Sequence, residues 1–294
     1  MRLYTIESDN KQYVAVEGKD GRPVTLDSLG INVKDMNDLI LHFDEMRFLI
    51  ADRLEKEITE ETVREYRIKA PIPVPAQDVI CLGVNYRSHI EETVDVLDFT
   101  KKTDTVYFSK RVNTANDPDG IIPSYDFVDS LDYEVELGVI LKKDALDVPV
   151  EAAADYIFGY TIINDVSARN LQFKHQQWYR GKSLDGYTPM GPCIVTADEV
   201  KDVRNLDIRC YVNNEKRQES NTKNMITSVE EAISELSQGM ILKAGTIIAT
   251  GTPGGVAMGM KPPVYLKSGD EIRCEIQGIG SLVNKVGYQI QQMY

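Results

Sequence analysis

Cysteine is scarce and scattered. The four present, Cys81, Cys193, Cys210 and Cys274, form no Cys-x-x-Cys pair, so neither a disulfide framework nor a zinc site is expected and they read as small core residues. Long apolar runs are missing as well: none approaches the roughly 20 residues that span a bilayer. Met1-Arg2-Leu3-Tyr4-Thr5-Ile6-Glu7 carries an acid where a signal peptide needs its apolar core, which gives the expectation of a cytoplasmic protein. Basic residues fall short of acidic ones, 33 against 46, and the formal charge of −13 argues against nucleic acid and anionic membrane as partners. Neither an internal repeat of fixed period nor a low-complexity segment interrupts the chain.

What is present fits one large domain joined to a small one. A chain of 294 residues is long enough to bury a large core. Residues 1 to about 28 show short alternating runs such as Gln12-Tyr13-Val14-Ala15-Val16, broken at Gly18, Gly21 and Pro23, which predicts a small antiparallel sheet. Asn37 to Arg67 reads as helix, with Leu39, Phe43, Met46, Leu49 and Ile50 at three- and four-residue spacing. His42 lies in it without a neighbouring ligand residue and reads as structural or solvated. Alternate prolines in Lys69-Ala70-Pro71-Ile72-Pro73-Val74-Pro75 force an extended segment, so the boundary is set there: a small N-terminal α/β domain over 1–70 and a larger domain over 71–294. Beyond it short Val/Ile-rich strands alternate with Gly, Pro and Asn-Asn punctuation, and the clearest helix is Val229 to Met240. The fold class is therefore α+β and β-rich, not doubly wound α/β.

The chemistry centres on Asp132 to Lys182. In Asp132-Tyr133-Glu134-Val135-Glu136-Leu137-Gly138-Val139-Ile140-Leu141 the period is two, so Tyr133, Val135, Leu137 and Val139 share one face and Glu134 and Glu136 the other. Tyr160 to Asn164 reads as a second buried strand that stops at Asp165. A Glu-x-Glu pair alone also suits the wet face of an edge strand. If the two strands are adjacent, however, three carboxylates converge, and such a cluster is tolerable mainly around a cation. Ligands that are all oxygen favour Mg²⁺, Mn²⁺ or Ca²⁺ over zinc.

Three further groups accompany this cluster. His89 and Glu92 are three apart, which on a helical turn sets a carboxylate against one imidazole nitrogen and frees the other as a base; a surface pair would have the same spacing. The charged run that continues to Asp104 reads as a lid or an exposed loop. Lys110, Arg111, Arg169, Gln172 and Lys182 lie near the acids in sequence and would either pair with them or bind an anionic substrate, and His175 is a further candidate. Thr250-Gly251-Thr252-Pro253-Gly254-Gly255-Val256 lacks the Gly-Lys-Ser/Thr ending of a phosphate loop and predicts a tight turn without a following helix, whose amides or Thr252 could still hold a carboxylate.

Together these phrases resemble the fumarylacetoacetate hydrolase (FAH) family. The matching stretches are Gly83-Val84-Asn85-Tyr86-Arg87-Ser88-His89, Asp132 to Leu137, Gly159 to Arg169, Gly181-Lys182-Ser183-Leu184-Asp185 and Thr250-Gly251-Thr252-Pro253, in the family's order across 71–294. The resemblance implies the FAH-like fold with its mixed β-roll, a homodimer, and a Mg²⁺ or Mn²⁺ site made by Glu134, Glu136 and Asp165. It implies catalytic roles for His89 and Glu92 on a lid and for Lys182 at the substrate's developing charge, and substrate contacts from Arg87, Lys110, Arg169, Gln172 and Thr252. Asn170 departs from the acid many members carry there. The subgroup it suggests, acylpyruvase-like and oxaloacetate decarboxylase-like proteins, includes members with an N-terminal extension.

The implied function is metal-dependent C–C bond cleavage in a small anionic 2-oxo or 2,4-dioxo acid through a metal-stabilised enolate, by acylpyruvate hydrolysis or oxaloacetate decarboxylation. The same site would also serve keto–enol or cis–trans isomerisation, or dehydration of a 2-oxo sugar acid. A non-catalytic metal-binding protein is the reading from another class, and the presence of both His89 and Glu92 argues against it.

Overall fold

The structure is a computed structural model and describes residues 1–56, 65–93 and 104–288. Two sheets dominate it. The larger, ten-stranded one runs β3 (Pro23–Thr25), β2 (Lys11–Glu17), β1 (Arg2–Ser8), β12 (Met190–Thr196), β10 (Ile157–Asn164), β9 (Val135–Leu141), β15 (Ile247–Ala249), β5 (Val79–Gly83) and β6 (Val106–Lys110), and β4 (Arg67–Lys69) adds to β1. The second runs β14 (Glu215–Asn221), β13 (Asp207–Val212), β16 (Glu271–Ile276), β17 (Gly280–Gly287) and β7 (Ile121–Pro123). A two-stranded ladder pairs β8 (Leu131–Asp132) with β11 (Ser167–Ala168). Among the described residues the α-helices are α1 (Met36–Glu55), α2 (Arg87–Thr93), α3 (Arg169–Lys174), α4 (Tyr179–Lys182) and α5 (Val229–Ser237). The α+β, β-rich class read from the sequence is the class observed.

Both faces of the large sheet are covered, which is why its central strands are buried and largely apolar. Every residue of β9 and β10 is buried. Val135, Leu137 and Val139 face one core, shared with the second sheet through Ile208, Cys210 and Cys274. Ile140 faces the other, shared with Leu39 and Phe43 of α1 and with Ile194. Residues 1–70 contribute to these same layers: β1 hydrogen-bonds β12, with Leu3 opposite Ile194, and Lys69 pairs with Asp117 at 2.7 Å.

Of the helix expected from Asn37 to Arg67, Met36–Glu55 is helix with Lys56 at its C-terminal cap, 57–64 lie outside the described residues, and Arg67–Lys69 forms strand against β1. The β-branched Ile68 found a partner strand opposite Ile6. α5 also stops short of Met240, at Ser237. Its start is marked by a capping box, with the Ser228 hydroxyl accepting from Glu231 N–H and the Glu231 carboxylate accepting from Ser228 N–H.

Candidate active site

Antiparallel register brings the three acids together. Ile163 lies opposite Glu136 and Asn164 opposite Val135, so the start of β9 adjoins the end of β10. Asp165 N–H donates to Glu134 O at 2.8 Å, and Asn164 Oδ1 accepts from Glu134 N–H at 3.0 Å. Carboxylate oxygens of Glu134, Glu136 and Asp165 then lie within 4.8 Å of one another, all three side chains buried. Glu134 and Glu136 also line a cleft, together with His89, Arg169, Gln172, Lys182 and Thr252.

The cations are distributed unequally among the acids. Lys182 Nζ bridges Glu134 Oε2 at 2.7 Å and Asp165 Oδ2 at 2.6 Å. Arg169 donates Nε–H to Asp132 Oδ2 at 2.9 Å and NH1 to Gln172 Oε1 at 2.9 Å, and its NH2 is ion-paired with Glu134 Oε1 at 2.7 Å. Lys110 donates to Asp165 Oδ1 at 2.5 Å, Tyr187 O at 2.7 Å and Val166 O at 3.3 Å. Glu136 is left with one donor, Gly251 N–H, at 2.8 Å. Four buried carboxylates, Asp132 included, face three buried cations, and Glu136 is the surplus anion.

Burial raises both Glu134 and Glu136, but their neighbours decide the outcome. Lys182 and Arg169 outweigh burial at Glu134 and hold it well below the usual carboxylate range. At Glu136 the carboxylates of Asp165 and Glu134 add to burial, and its carboxyl is pushed far above that range. Burial would lower Lys182, yet Asp165 and Glu134 raise it, so the ammonium stays charged. A buried surplus carboxylate among two others, all oxygen donors, fits a hard divalent cation such as Mg²⁺ or Mn²⁺.

In the same cleft, α2 carries His89 on its buried side. His89 Nδ1 lies 2.8 Å from Glu92 Oε1, and Glu92 Oε2 accepts Gly255 N–H at 2.6 Å. With the proton of Nδ1 given to Glu92, Nε2 is the free base. The continuation expected to be a lid, 94–103, lies outside the described residues.

The turn after β15 holds carboxylates with its backbone, and they are the protein's own. Gly251 N–H serves Glu136, Gly255 N–H serves Glu92, and Ala257 and Met258 N–H serve Asp132 at 2.8 and 3.0 Å. Gly251 has φ +89°, and a Cβ there would lie 2.7 Å from Asn85 Cβ, so only glycine fits the turn that aims this amide. Thr252 donates to Val135 O at 2.9 Å and accepts from Gln218 Nε2 at 2.8 Å.

Two residues expected to meet the substrate lie away from the cleft. Arg87 is exposed on the first turn of α2, whose buried side carries His89 and Thr93. Lys110 sits behind Asp165, its ammonium consumed by three acceptors in a fully buried position. His175 is exposed after α3 and does not line the cleft, and Asn170 donates to Phe127 O on the outer side.

Sequence reasoning passed over two residues that organise the site. In the chain Asp132 reads only as a strand start, yet it accepts from Arg169, Tyr133 N–H, Ala257 N–H and Met258 N–H. Gln218, fully buried on β14, joins the second sheet to the site through Val135 N–H, Thr252 and Pro253 O. No local signal marks a strand glutamine as a bridge. We expect Asp132→Asn to lower stability by about 3 kcal/mol, because the amide turns its own donors on those N–H groups and leaves Arg169 short of a counter-charge. The midpoint of urea unfolding measures this.

A β-rich fold with a buried three-carboxylate cluster that could hold a cation, and a His–Glu pair beside the same cleft, is that of an enzyme acting on a small acid. The chain belongs to the fumarylacetoacetate hydrolase family: residues 78–287 match the family described as fumarylacetoacetate (FAA) hydrolase C-terminal. It is 43% identical over 227 residues to oxaloacetate tautomerase YisK of Bacillus subtilis, covering 77% of this chain and 75% of that one. The solved fumarylacetoacetate hydrolase of Exiguobacterium antarcticum superposes with a TM-score of 0.85 at 38% identity, over 98% of this chain and all of that one. Maleylpyruvate hydrolase from Sphingobium sp. SYK-6, in complex with manganese(II) and pyruvate, superposes with a TM-score of 0.79 at 26% identity, over 99% and 100% of the two chains.

Proposed function

We propose that this enzyme cleaves a C–C bond in a small 2-oxo or 2,4-dioxo acid with a divalent metal, by hydrolysis of an acylpyruvate or decarboxylation of oxaloacetate. The observation that carries the reading is the surplus carboxylate Glu136, beside Glu134 and Asp165, in the same cleft as the His89–Glu92 pair. Glu134, Glu136 and Asp165 would hold Mg²⁺ or Mn²⁺, which when bound supplies Lewis-acid polarisation of the substrate's ketone.

The side chains then divide the work. In hydrolysis His89 Nε2 takes a proton from the water that attacks the distal carbonyl, while Glu92 fixes the ring and offsets the imidazolium. Breaking the C–C bond leaves the acyl group as a carboxylic acid and the other fragment as the enolate of pyruvate, which His89 reprotonates. Lys182 holds positive charge beside the growing enolate, and Arg169 with Gln172 orients the substrate carboxylate. In decarboxylation CO₂ departs instead, and His89 has only the reprotonation to perform.

Keto–enol tautomerisation of oxaloacetate is a second reading, favoured by the name of the B. subtilis relative. It asks of His89 only a proton moved between C3 and the enol oxygen. The test is pyruvate release by metal-stripped protein given acetylpyruvate or oxaloacetate, with and without Mg²⁺ or Mn²⁺. We expect metal-dependent pyruvate above the metal-only background. Faster decay of the oxaloacetate enol absorbance without any pyruvate would instead establish the tautomerase.

A further inference from the structure

The cleft has two unlike ends. Besides its charged residues the cleft has an apolar lining, built from Leu82, Gly83, Val84, Phe108, Trp178 and Met258. Trp178, the single tryptophan of the chain, is the largest of these. Its indole packs edge-on to Phe108, with ring centroids 5.2 Å apart at 69°. It also rests on the last residue of β5, where a Cβ on Gly83 would lie 2.5 Å from Trp178 Cζ3. The indole thus fills the space that any side chain at position 83 would need.

The same residue is tied to the polar end. Trp178 caps α4, its carbonyl accepts Lys182 N–H at 3.2 Å, and Trp178 and Lys182 are four apart on one helical face. Lys182 Nζ lies 5.3 Å above the Phe108 ring, so Phe108 marks where the charged end gives way to the apolar one. Val84, next along the wall, is a β-branched residue held at φ +51°, a conformation such residues seldom adopt. A substrate whose acidic head lies at Lys182 and Arg169 therefore runs its other end toward the indole.

Resting on the function proposed above, we infer that Trp178 is the specificity-determining residue: seated on Gly83 and against Phe108, it sets how long a group the cleft accepts beyond the 2-oxo acid head. The group it selects is short and apolar, because an indole face excludes bulk and itself carries no charge to pair with a second carboxylate.

The test is calorimetric binding to the Mn²⁺-loaded full chain, so that turnover is not needed. Oxalate and pyruvate probe the head; 2-oxopentanoate and 2-oxohexanoate add length. In Trp178→Ala we expect oxalate and pyruvate to bind as in the parent, while preference for 2-oxohexanoate over pyruvate rises by about fourfold for each methylene newly housed. Trp178→Phe keeps an aromatic contact with Phe108, should give an intermediate preference, and tests the wall even if Trp178→Ala fails to fold. An equal loss for every ligand, oxalate included, would mean that Trp178 only holds Lys182 in place and would overturn the inference. So would an unchanged length preference. If the parent binds Mn²⁺, seen as a metal-dependent rise in melting temperature, but takes neither oxalate nor any 2-oxo acid, the proposed function fails and this inference with it. That outcome is separate from a failure at Trp178 alone.

Discussion

Glu136→Gln is expected to reduce metal-dependent turnover by at least about a hundredfold while leaving the metal-free protein folded. Loss of groups that merely orient metal ligands already costs about 10–100-fold, and Glu136 is a ligand in the proposed site. The amide keeps the size of the side chain and can still accept from Gly251 N–H, so only the charge is removed. In the metal-free state that charge is a liability. Burial and the carboxylates of Asp165 and Glu134 raise Glu136, so the folded protein retains a proton that the unfolded chain, with its ordinary value of 4.5, gives up.

The sign of the pH dependence follows. Above the unfolded value the folded state binds the extra proton, so this group lowers stability as pH rises, by up to about 1.4 kcal/mol per pH unit, until the folded group itself ionises. Glu136→Gln removes that slope. Thermal melts of metal-free protein from pH 5 upward should therefore show the variant gaining on the parent as pH rises. Metal binding requires the carboxylate, so in the parent it displaces this proton, and apparent affinity should rise by about tenfold per pH unit across the same window. The metal-induced rise in melting temperature should be lost in the variant. A variant that still gains melting temperature with Mg²⁺ or Mn²⁺ as the parent does would remove Glu136 from the site. Asp165→Ala is a less selective probe, because it also strands Lys110 and Lys182 and should cost about 3–5 kcal/mol of stability.

His89→Ala should lower kcat for acylpyruvate hydrolysis by about 10²–10⁴-fold, the range for loss of a positioned general base, with metal-induced stabilisation intact. Glu92→Gln should give a smaller loss, because His89 keeps a partner at Nδ1 but the imidazolium loses its counter-charge. Decarboxylation needs no water activated, so the same substitutions should slow it less, and the ratio of the two effects reports which step His89 serves. Full hydrolytic activity in His89→Ala would show that another group activates the water.

The local features were legible in the residues themselves. Period-two alternation from Tyr133 to Val139 marked β9 and set Glu134 and Glu136 on one side, and the apolar run ending at Asp165 marked β10. The His89–Glu92 spacing gave a helical pair, and the missing Lys-Ser/Thr after Gly255 excluded a phosphate loop. The strand Arg67–Lys69 was not legible, because its pairing with β1 is a contact between segments about sixty residues apart.

By itself, then, the sequence determined the β-rich class, the order of the motifs and the identity of the acids, since alternation and short spacing are properties of a chain segment alone. The tertiary structure decided which cation met which carboxylate. Lys110 and Lys182 look equivalent as neighbours of the acids in the chain, yet β6 delivers one behind Asp165 and α4 delivers the other between Asp165 and Glu134. Asp132 and Gln218 owe their roles to partners 125 and 34 residues away, Ala257 and Thr252. Glu136 became the surplus anion only because sheet packing excluded water and left it one backbone donor. Ionisation in a buried site depends on the summed field of groups that only the fold assembles.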